Sequence, residues 1–364
     1  MKTVVLGGYG NFGARISRAL APSPGIELLI AGRDGAKAAA LAAECGAASA
    51  VIDIGDPQLM RVLSDLGAGM VIHTAGPFQA QGYGVAQAVA AAGAHYIDLA
   101  DGRRFVCDFP AALDATFRHA GRIAITGAST VPALSSAVVD HLTAGWKSIA
   151  DIDFCIAPAQ TAPRGVATIA AVLGYCGEAI QVWRNGRWET QYGWESPARV
   201  DYKRLRPRIG ALCDIPDLEL FPAHYAGAQS VMFRAALEVG IGQRGLATLG
   251  SLRRMGILKQ PAKLAAFLNG AAGLLDPFGT ALGGMVVRVQ GIDGTGAPAK
   301  AEWHIAADDD HGPEIPCMAA VLLARRIAAG ELTGSGARTS MNMLTLADFA
   351  PEFQKWNMVT DIGA

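Results

Sequence analysis

A short apolar strand that runs straight into a glycine-rich turn restricts this chain more than any other feature. Thr3 to Leu6 reads as a buried strand, and it enters GGYGNFG at Gly7 to Gly13. Gly8, Gly10 and Gly13 then stand in the G-x-G-x-x-G spacing, and Phe12, Ile16, Ala19 and Leu20 mark one face of a following helix. The spacing alone is weak, but between a strand and a helix each glycine has a physical task. Gly8 makes the tight turn, Gly10 lets the backbone approach a pyrophosphate, and Gly13 lets the helix pack closely on the strand. The helix N-terminus offers N–H groups and the positive end of a dipole to phosphates. Tyr9, Asn11 and Phe12 fill the same loop and are expected to line it. The competing reading is a glycine-rich connection in some other α/β protein.

The end of the second strand bears on the choice of dinucleotide. Glu27 to Ala31 is apolar and leads into Gly32-Arg33-Asp34. A unit that binds NAD usually carries a carboxylate here, about twenty residues past the last glycine, to hold the ribose 2′-hydroxyl. In this chain Arg33 follows the strand instead, and a guanidinium can grip a 2′-phosphate in a fork and stack on adenine. Lys37, one helical turn on, adds a second positive charge. Asp34 keeps NAD open, because its carboxylate can reach a 2′-hydroxyl if the strand ends later. The expectation is NADP in preference to NAD.

Strands and helices alternate up to residue 128. Val51 to Ile54 reads as a strand ending near Asp53, a further cofactor-facing candidate. Met70 to Thr74 runs into Ala75-Gly76-Pro77-Phe78, where Gly76 permits close approach and Pro77 stiffens the turn. A helix over 84–92, a strand over 95–99 and a strand over 123–126 follow. This alternation predicts a doubly wound, Rossmann-type parallel sheet with helices on both faces. Ligands bind such sheets at the carboxyl ends of their strands. The loops at 7–13, 32–34, 53–56, 74–82, 98–104 and 127–132 are therefore expected to share one rim.

The pattern then changes. A strand over 151–156, a helix over 165–174 and a hairpin around Asn185-Gly186 are expected. A long strand over 229–239, helices around 243–257 and 261–275, and a second hairpin around Asp293-Gly294 come next. These features predict a separate α+β domain with a mixed or antiparallel sheet. Helices near 314–329 and 345–356 close the chain. The expected division is a nucleotide-binding domain over 1–128, completed by helices within 313–364, and a substrate domain over 129–312.

With 364 residues, 51% hydrophobic and 17% charged, the chain has room for two domains and a large core. A formal net charge of −1 gives no overall field for nucleic acid. The cysteines at 45, 107, 155, 176, 213 and 317 form no C-x-x-C pair, so neither a metal site nor a disulfide framework is expected. One lysine and about four apolar residues precede the glycines, too few for a signal peptide, and a cytoplasmic protein is expected. Leu264 to Val287 is nearly uncharged, but Asn269, Asp276-Pro277 and several glycines interrupt it. Two short buried helices are expected there rather than a transmembrane span, and peripheral contact with a lipid or a partner stays open.

The sequence resembles the saccharopine dehydrogenase-like oxidoreductases, including the saccharopine reductase type. The matching stretches are GGYGNFG (7–13), AGRD (31–34), HTAGPFQAQG (73–82), HYIDLADG (95–102) and GASTVPALSS (127–136), with WRNGRW (183–188) and GPEIPCMAAVLLARRIAAGEL (312–332) further on. The likeness runs along most of the chain and rests on the order of these loose motifs. It implies a nucleotide-binding domain, an inserted substrate domain and C-terminal helices that return to the first. It also implies nicotinamide-dependent redox chemistry, often on a C–N or C=N bond of an amino-acid adduct. Some members reduce lipid-type substrates.

Catalytic candidates are fewer. His73 stands where the resembling family often has a small polar amide; it is either a proton donor or a hydrogen-bonded strand histidine. Asp98 and Asp101 follow the fifth strand beside Arg103 and Arg104, and Asp101 can manage a proton or hold a substrate ammonium; loop capping is the other reading. Ser129 either reaches the nicotinamide region or caps the next helix. His304 has no assigned role. The leading expectation is an NADP-dependent oxidoreductase whose small-molecule substrate lies in an interdomain cleft. The alternatives are a non-catalytic nucleotide-binding scaffold or sensor, and a reductase of an enoyl or carbonyl lipid. A homodimer through the second sheet is open.

Overall fold

The structure, a computed structural model, describes residues 1–363. The chain forms two compact units. One is Met1–Leu134 with Glu314–Leu344; the other is Ser135–Pro313 with the residues from Thr345 onward.

The first unit begins with β1 (Lys2–Leu6), α1 (Asn11–Leu20), β2 (Glu27–Gly32), α2 (Gly35–Cys45) and β3 (Ala48–Val51). It continues through α3 (Leu59–Asp65), β4 (Met70–His73), α4 (Gly84–Ala91), β5 (His95–Asp98), α5 (Arg103–His119) and β6 (Ile123–Thr126). Val4, Val5, Leu6, Ile30, Val71, Ile72, Tyr96, Ile97 and Ile125 are buried, as strands covered on both faces require. The third strand lies three residues earlier than expected. Its Ala-Ser-Ala-Val run has no apolar block to mark it, and it is placed by pairing Leu29–Gly32 with Ala48–Val51.

In the second unit α6 (Ser135–Leu142) precedes β7 (Ser148–Ala157) and α7 (Val166–Tyr175). Next come β8 (Ala179–Arg184), β9 (Arg187–Tyr192), β10 (Ala198–Val200), β11 (Arg208–Leu212), α8 (Asp217–His224) and β12 (Ser230–Ala235). Helices α9 (Gly240–Arg254) and α10 (Ala265–Gly273) and the hairpin β13 (Gly283–Ile292) and β14 (Pro298–Ala307) follow. Both expected hairpins form, at Asn185-Gly186 and at Asp293-Gly294. The long strand expected over 229–239 is shorter, because the chain turns at Ala236 into α9. The last elements are α11 (Ile315–Ala328), β15 (Gly336–Thr339), α12 (Leu346–Lys355) and β16 (Val359–Gly363).

The first sheet runs β15-β6-β5-β4-β1-β2-β3, and every pair in it is parallel. Strand order reverses at β1, whose Leu6 pairs with both Ala31 and His73. That reversal is the switch point at which open α/β sheets take ligands. Helix α11 packs on α1 within this unit, where Arg15 meets Glu314 at 3.1 Å and Arg325 donates to the Ala19 carbonyl at 3.0 Å.

The second sheet is mixed, in the order β10-β11-β12-β7-β13-β14-β16, with β8 and β9 branching from β12. Ile152, Phe154, Val231, Phe233, Val287, Val289, Trp303 and Ile305 form its buried set. Helix α12 and β16 belong to this unit, because β16 lies antiparallel to β14 over Glu302–Ala306.

Candidate functional site

The glycine turn after β1 is held by backbone. Gly7 has φ +74°, a conformation that favours glycine, and Gly10 N donates to Gly7 O at 2.8 Å. A Cβ on Gly13 would stand 2.2 Å from the Gly7 carbonyl oxygen, so α1 can approach β1 this closely only with glycine. The Thr74 hydroxyl, at the end of β4, donates to the carbonyls of Leu6 (2.8 Å) and Gly7 (3.1 Å) and ties the two central strands together. Gly10 precedes α1 in an extended conformation; no side chain caps the helix and no acidic residue occupies its first turn. Asn11, Phe12 and Gly13 form that first turn. Its amides and dipole are therefore directed at the rim.

Tyr9 leaves the turn and lies across the end of β2. A Cβ on Gly32 would collide with its ring at 2.4 Å, and the Tyr9 hydroxyl accepts from Asp34 N at 2.8 Å. The Asp34 carboxylate caps α2, accepting from Lys37 N at 3.1 Å with Lys37 Nζ at 3.3 Å. The Lys37 backbone bond is the main reason its pKa lies below the ordinary carboxylate value. Arg33 is exposed and makes no hydrogen bond or ion pair among the described residues. Asp53 is exposed in the loop after β3 and accepts from Gly55 N at 2.9 Å.

The loop after β4 is clamped from below. His73 is buried, edge-on to the Phe78 ring at 5.0 Å, and its Nε2 meets Gln81 Oε1 at 3.0 Å. Gln81 spends its amide hydrogens on the carbonyls of Ala75 (2.7 Å) and Pro77 (3.1 Å), so its oxygen faces the ring and His73 Nε2 is the donor. Burial pushes the His73 pKa down to about 4, against the Gln81 bond, so the ring is neutral at ordinary pH. His73 thus orders Ala75–Phe78 from beneath the rim. At Gly76 a Cβ would meet nothing nearer than 3.6 Å, so the chain's own packing does not require glycine there.

Asp98 and Asp101 take different places. Asp98 is fully buried and accepts through Oδ1 from Ala100 N (2.9 Å), Thr126 Oγ1 (2.9 Å) and Gly127 N (2.8 Å), joining the loops after β5 and β6. Burial outweighs those bonds and pushes its pKa up to about 6. Asp101 is exposed at the rim, and Gln79 Nε2 donates to it at 2.9 Å. Dehydration by neighbouring atoms raises its pKa, against the Gln79 bond. Ser129 is buried in the loop after β6, where its N–H donates to Gly127 O at 2.7 Å and its hydroxyl bonds none of the described residues. In the second unit His304 accepts through Nδ1 from Lys203 N at 3.2 Å and lies beside Glu302, within the sheet.

Every loop on the first unit's candidate rim thus follows the carboxyl end of a parallel strand. Thr74, Gln79 and Gln81 escaped the sequence reading. The one signal for them was a polar cluster within 73–82, and their bonds depend on which backbone atoms the fold brings near.

Residues 3–125 match the family model described as the saccharopine dehydrogenase NADP binding domain. Over these residues the chain is similar to that family's cofactor domain. Its first unit carries the cofactor domain of an NAD(P)-dependent oxidoreductase. Among solved structures, apo saccharopine dehydrogenase (L-Glu forming) from Saccharomyces cerevisiae aligns over 100% of both chains with a TM-score of 0.71 at 14% identity. Homospermidine synthase from Legionella pneumophila, in complex with NAD, aligns over 100% of this chain and 91% of its own with a TM-score of 0.60 at 10% identity. At such identities the likeness is one of fold. No curated protein sequence matches this chain significantly. No helix of the described residues is long and apolar enough to cross a membrane.

The His73 geometry has a pH signature. The unfolded chain binds the histidine proton below about pH 6.5, whereas the folded state binds it only below about 4. His73 therefore costs stability progressively as the pH falls from 6.5 toward 4, and costs nothing above that window. Nitrogen-15 NMR of the histidines should find His73 as the neutral Nε2–H tautomer from about pH 8 down to about pH 5. A ring that titrates near its ordinary value would contradict the assigned clamp.

Proposed function

We propose that the protein is an NADP-dependent oxidoreductase acting on a C–N or C=N bond of a small amino-acid adduct. The observation that carries the cofactor choice is the end of β2. There the exposed Arg33 has no ion pair among the described residues, while α2 takes the Asp34 carboxylate as its cap. A guanidinium without a protein anion suits a 2′-phosphate, and a capping carboxylate is withheld from a 2′-hydroxyl. In this reading Gly8 to Gly13 and the α1 N-terminus hold the pyrophosphate, with Tyr9 bracing the ribose side. Lys37 and Asp53 flank the adenosine end. Ala75, Gly76, Pro77 and Phe78 border the nicotinamide ribose, where the open side of Gly76 leaves room for it.

When bound, NADP supplies or accepts the hydride. The protein orients it, excludes water and handles one proton. Asp101 suits that last task, since it reaches the rim and its pKa is raised toward working pH. His73 acts as a positioning residue through Gln81, and the Ser129 hydroxyl is available near the same loops. The amino-acid substrate class rests on the full-length likeness to the yeast saccharopine dehydrogenase fold.

Replacing Arg33 with Ala should weaken NADPH binding about 10- to 100-fold, the loss of a charge-assisted pair, with NADH binding almost unchanged. Fluorescence titration of both cofactors checks this, and equal weakening of both would remove the assignment. Asp101→Asn should lower kcat about 100-fold or more and abolish one limb of the pH–rate profile while leaving the NADPH Kd in place. An unchanged profile, measured with a panel of amino-acid and keto-acid pairs, would exclude Asp101 as the proton carrier.

A further inference from the structure

The second unit carries an apolar, basic stretch to which the proposed function assigns no role. From Gly240 to Gly279 the chain carries Arg244, Arg253, Arg254, Lys259 and Lys263 against one acid, Asp276. That acid is occupied: Arg164 pairs with it and Gln160 Nε2 donates to it at 3.0 Å. Arg253 and Arg254 are paired with Glu178 and Glu195. Arg244, Lys259 and Lys263 are exposed and make no ion pair among the described residues.

The same stretch carries the most exposed large apolar side chains of the described residues. Leu274 and Phe278 are each 77% exposed and Phe267 72%, and Ile241, Met255 and Ile257 are also mostly in solvent. Helices α9 and α10 present them, with short turns at Pro261–Leu264 and Asp276–Phe278. Isolated exposed apolar residues are ordinary, but six mostly exposed ones within forty residues are a concentration that a docking surface would account for. The charge identifies the partner. Two such surfaces from two copies would set like charges against each other, whereas an anionic bilayer complements the cations and accepts the apolar side chains.

We propose that α9, α10 and the turn at Asp276–Phe278 form a docking surface for an anionic lipid bilayer, with Phe267, Leu274 and Phe278 entering the interface. None of these helices can span, so the contact is peripheral. This proposal does not depend on the redox reading.

Flotation of the full-length protein with vesicles tests it directly. The wild-type protein should float with phosphatidylcholine vesicles containing about one-third phosphatidylglycerol, and its partition should fall at least about tenfold on pure phosphatidylcholine. Raising the salt from about 0.05 to about 0.5 M should release it. Lys259→Glu with Lys263→Glu should lower partition at least about tenfold, since each cation near such a surface contributes about a fivefold factor. Phe267→Ser with Phe278→Ser should also lose binding, while both variants keep wild-type NADPH affinity and melting temperature. Absence of binding to the anionic vesicles, or equal binding to both compositions, would overturn the proposal. A dimer that dissociates in the phenylalanine variant without any vesicle binding would overturn it in favour of a second copy.

Discussion

The first unit depends on one close approach. The Thr74 hydroxyl reaches across from β4 to the carbonyls of Leu6 and Gly7, and α1 comes down on the same carbonyl through Gly13. Three elements thus converge on a single peptide group at the point where strand order reverses. A side chain at Gly13 has no space to occupy, so the contact is specified by an absence of atoms. Because α1 is held there, its uncapped amides lie at the rim of the switch point. The same geometry brings Tyr9 over Gly32, which fixes the end of β2 and leaves Arg33 on the surface.

Polar groups beneath this rim hold its loops in place. Asp98 collects donors from the two loops that follow β5 and β6, and His73 steadies the loop after β4 through Gln81. Both groups are dehydrated, and dehydration drives them toward their neutral forms in opposite pKa directions. Asp101, immediately after the buried Leu99–Ala100 pair, meets solvent while keeping a raised pKa. Burial thus separates Asp98, which supports the loops, from Asp101, the group proposed to carry the proton.

Much of this was legible in the chain. The β1–turn–α1 unit, the end of β2, both hairpins and the change of sheet type follow from apolar runs, glycine spacing and turn residues. Other elements were not legible, for identifiable reasons. Strand β15 is Gly-Ala-Arg-Thr within a glycine-rich stretch, and it exists because β6 pairs with it and Asp114 accepts from Ala337 N. Strand β16 follows a polar helix end and is created by the free edge of β14. Residues 198–224 mix prolines, charges and short apolar runs, so β10, β11 and α8 carry no periodic signal. At the site, the glycines and Arg33 could be read directly, but the role of Asp34 could not. Whether it serves the ribose or the helix depends on where β2 stops, and in the structure it stops at Gly32.

The central claim is that a rim built from backbone and one unpaired guanidinium selects the phosphorylated dinucleotide. The most direct measurement is a crystal structure of the protein with NADP bound. The account predicts the 2′-phosphate within hydrogen-bond reach of Arg33, with Asp34 still capping α2. A cofactor whose 2′ position faces the Asp34 carboxylate, with Arg33 turned away, would contradict it.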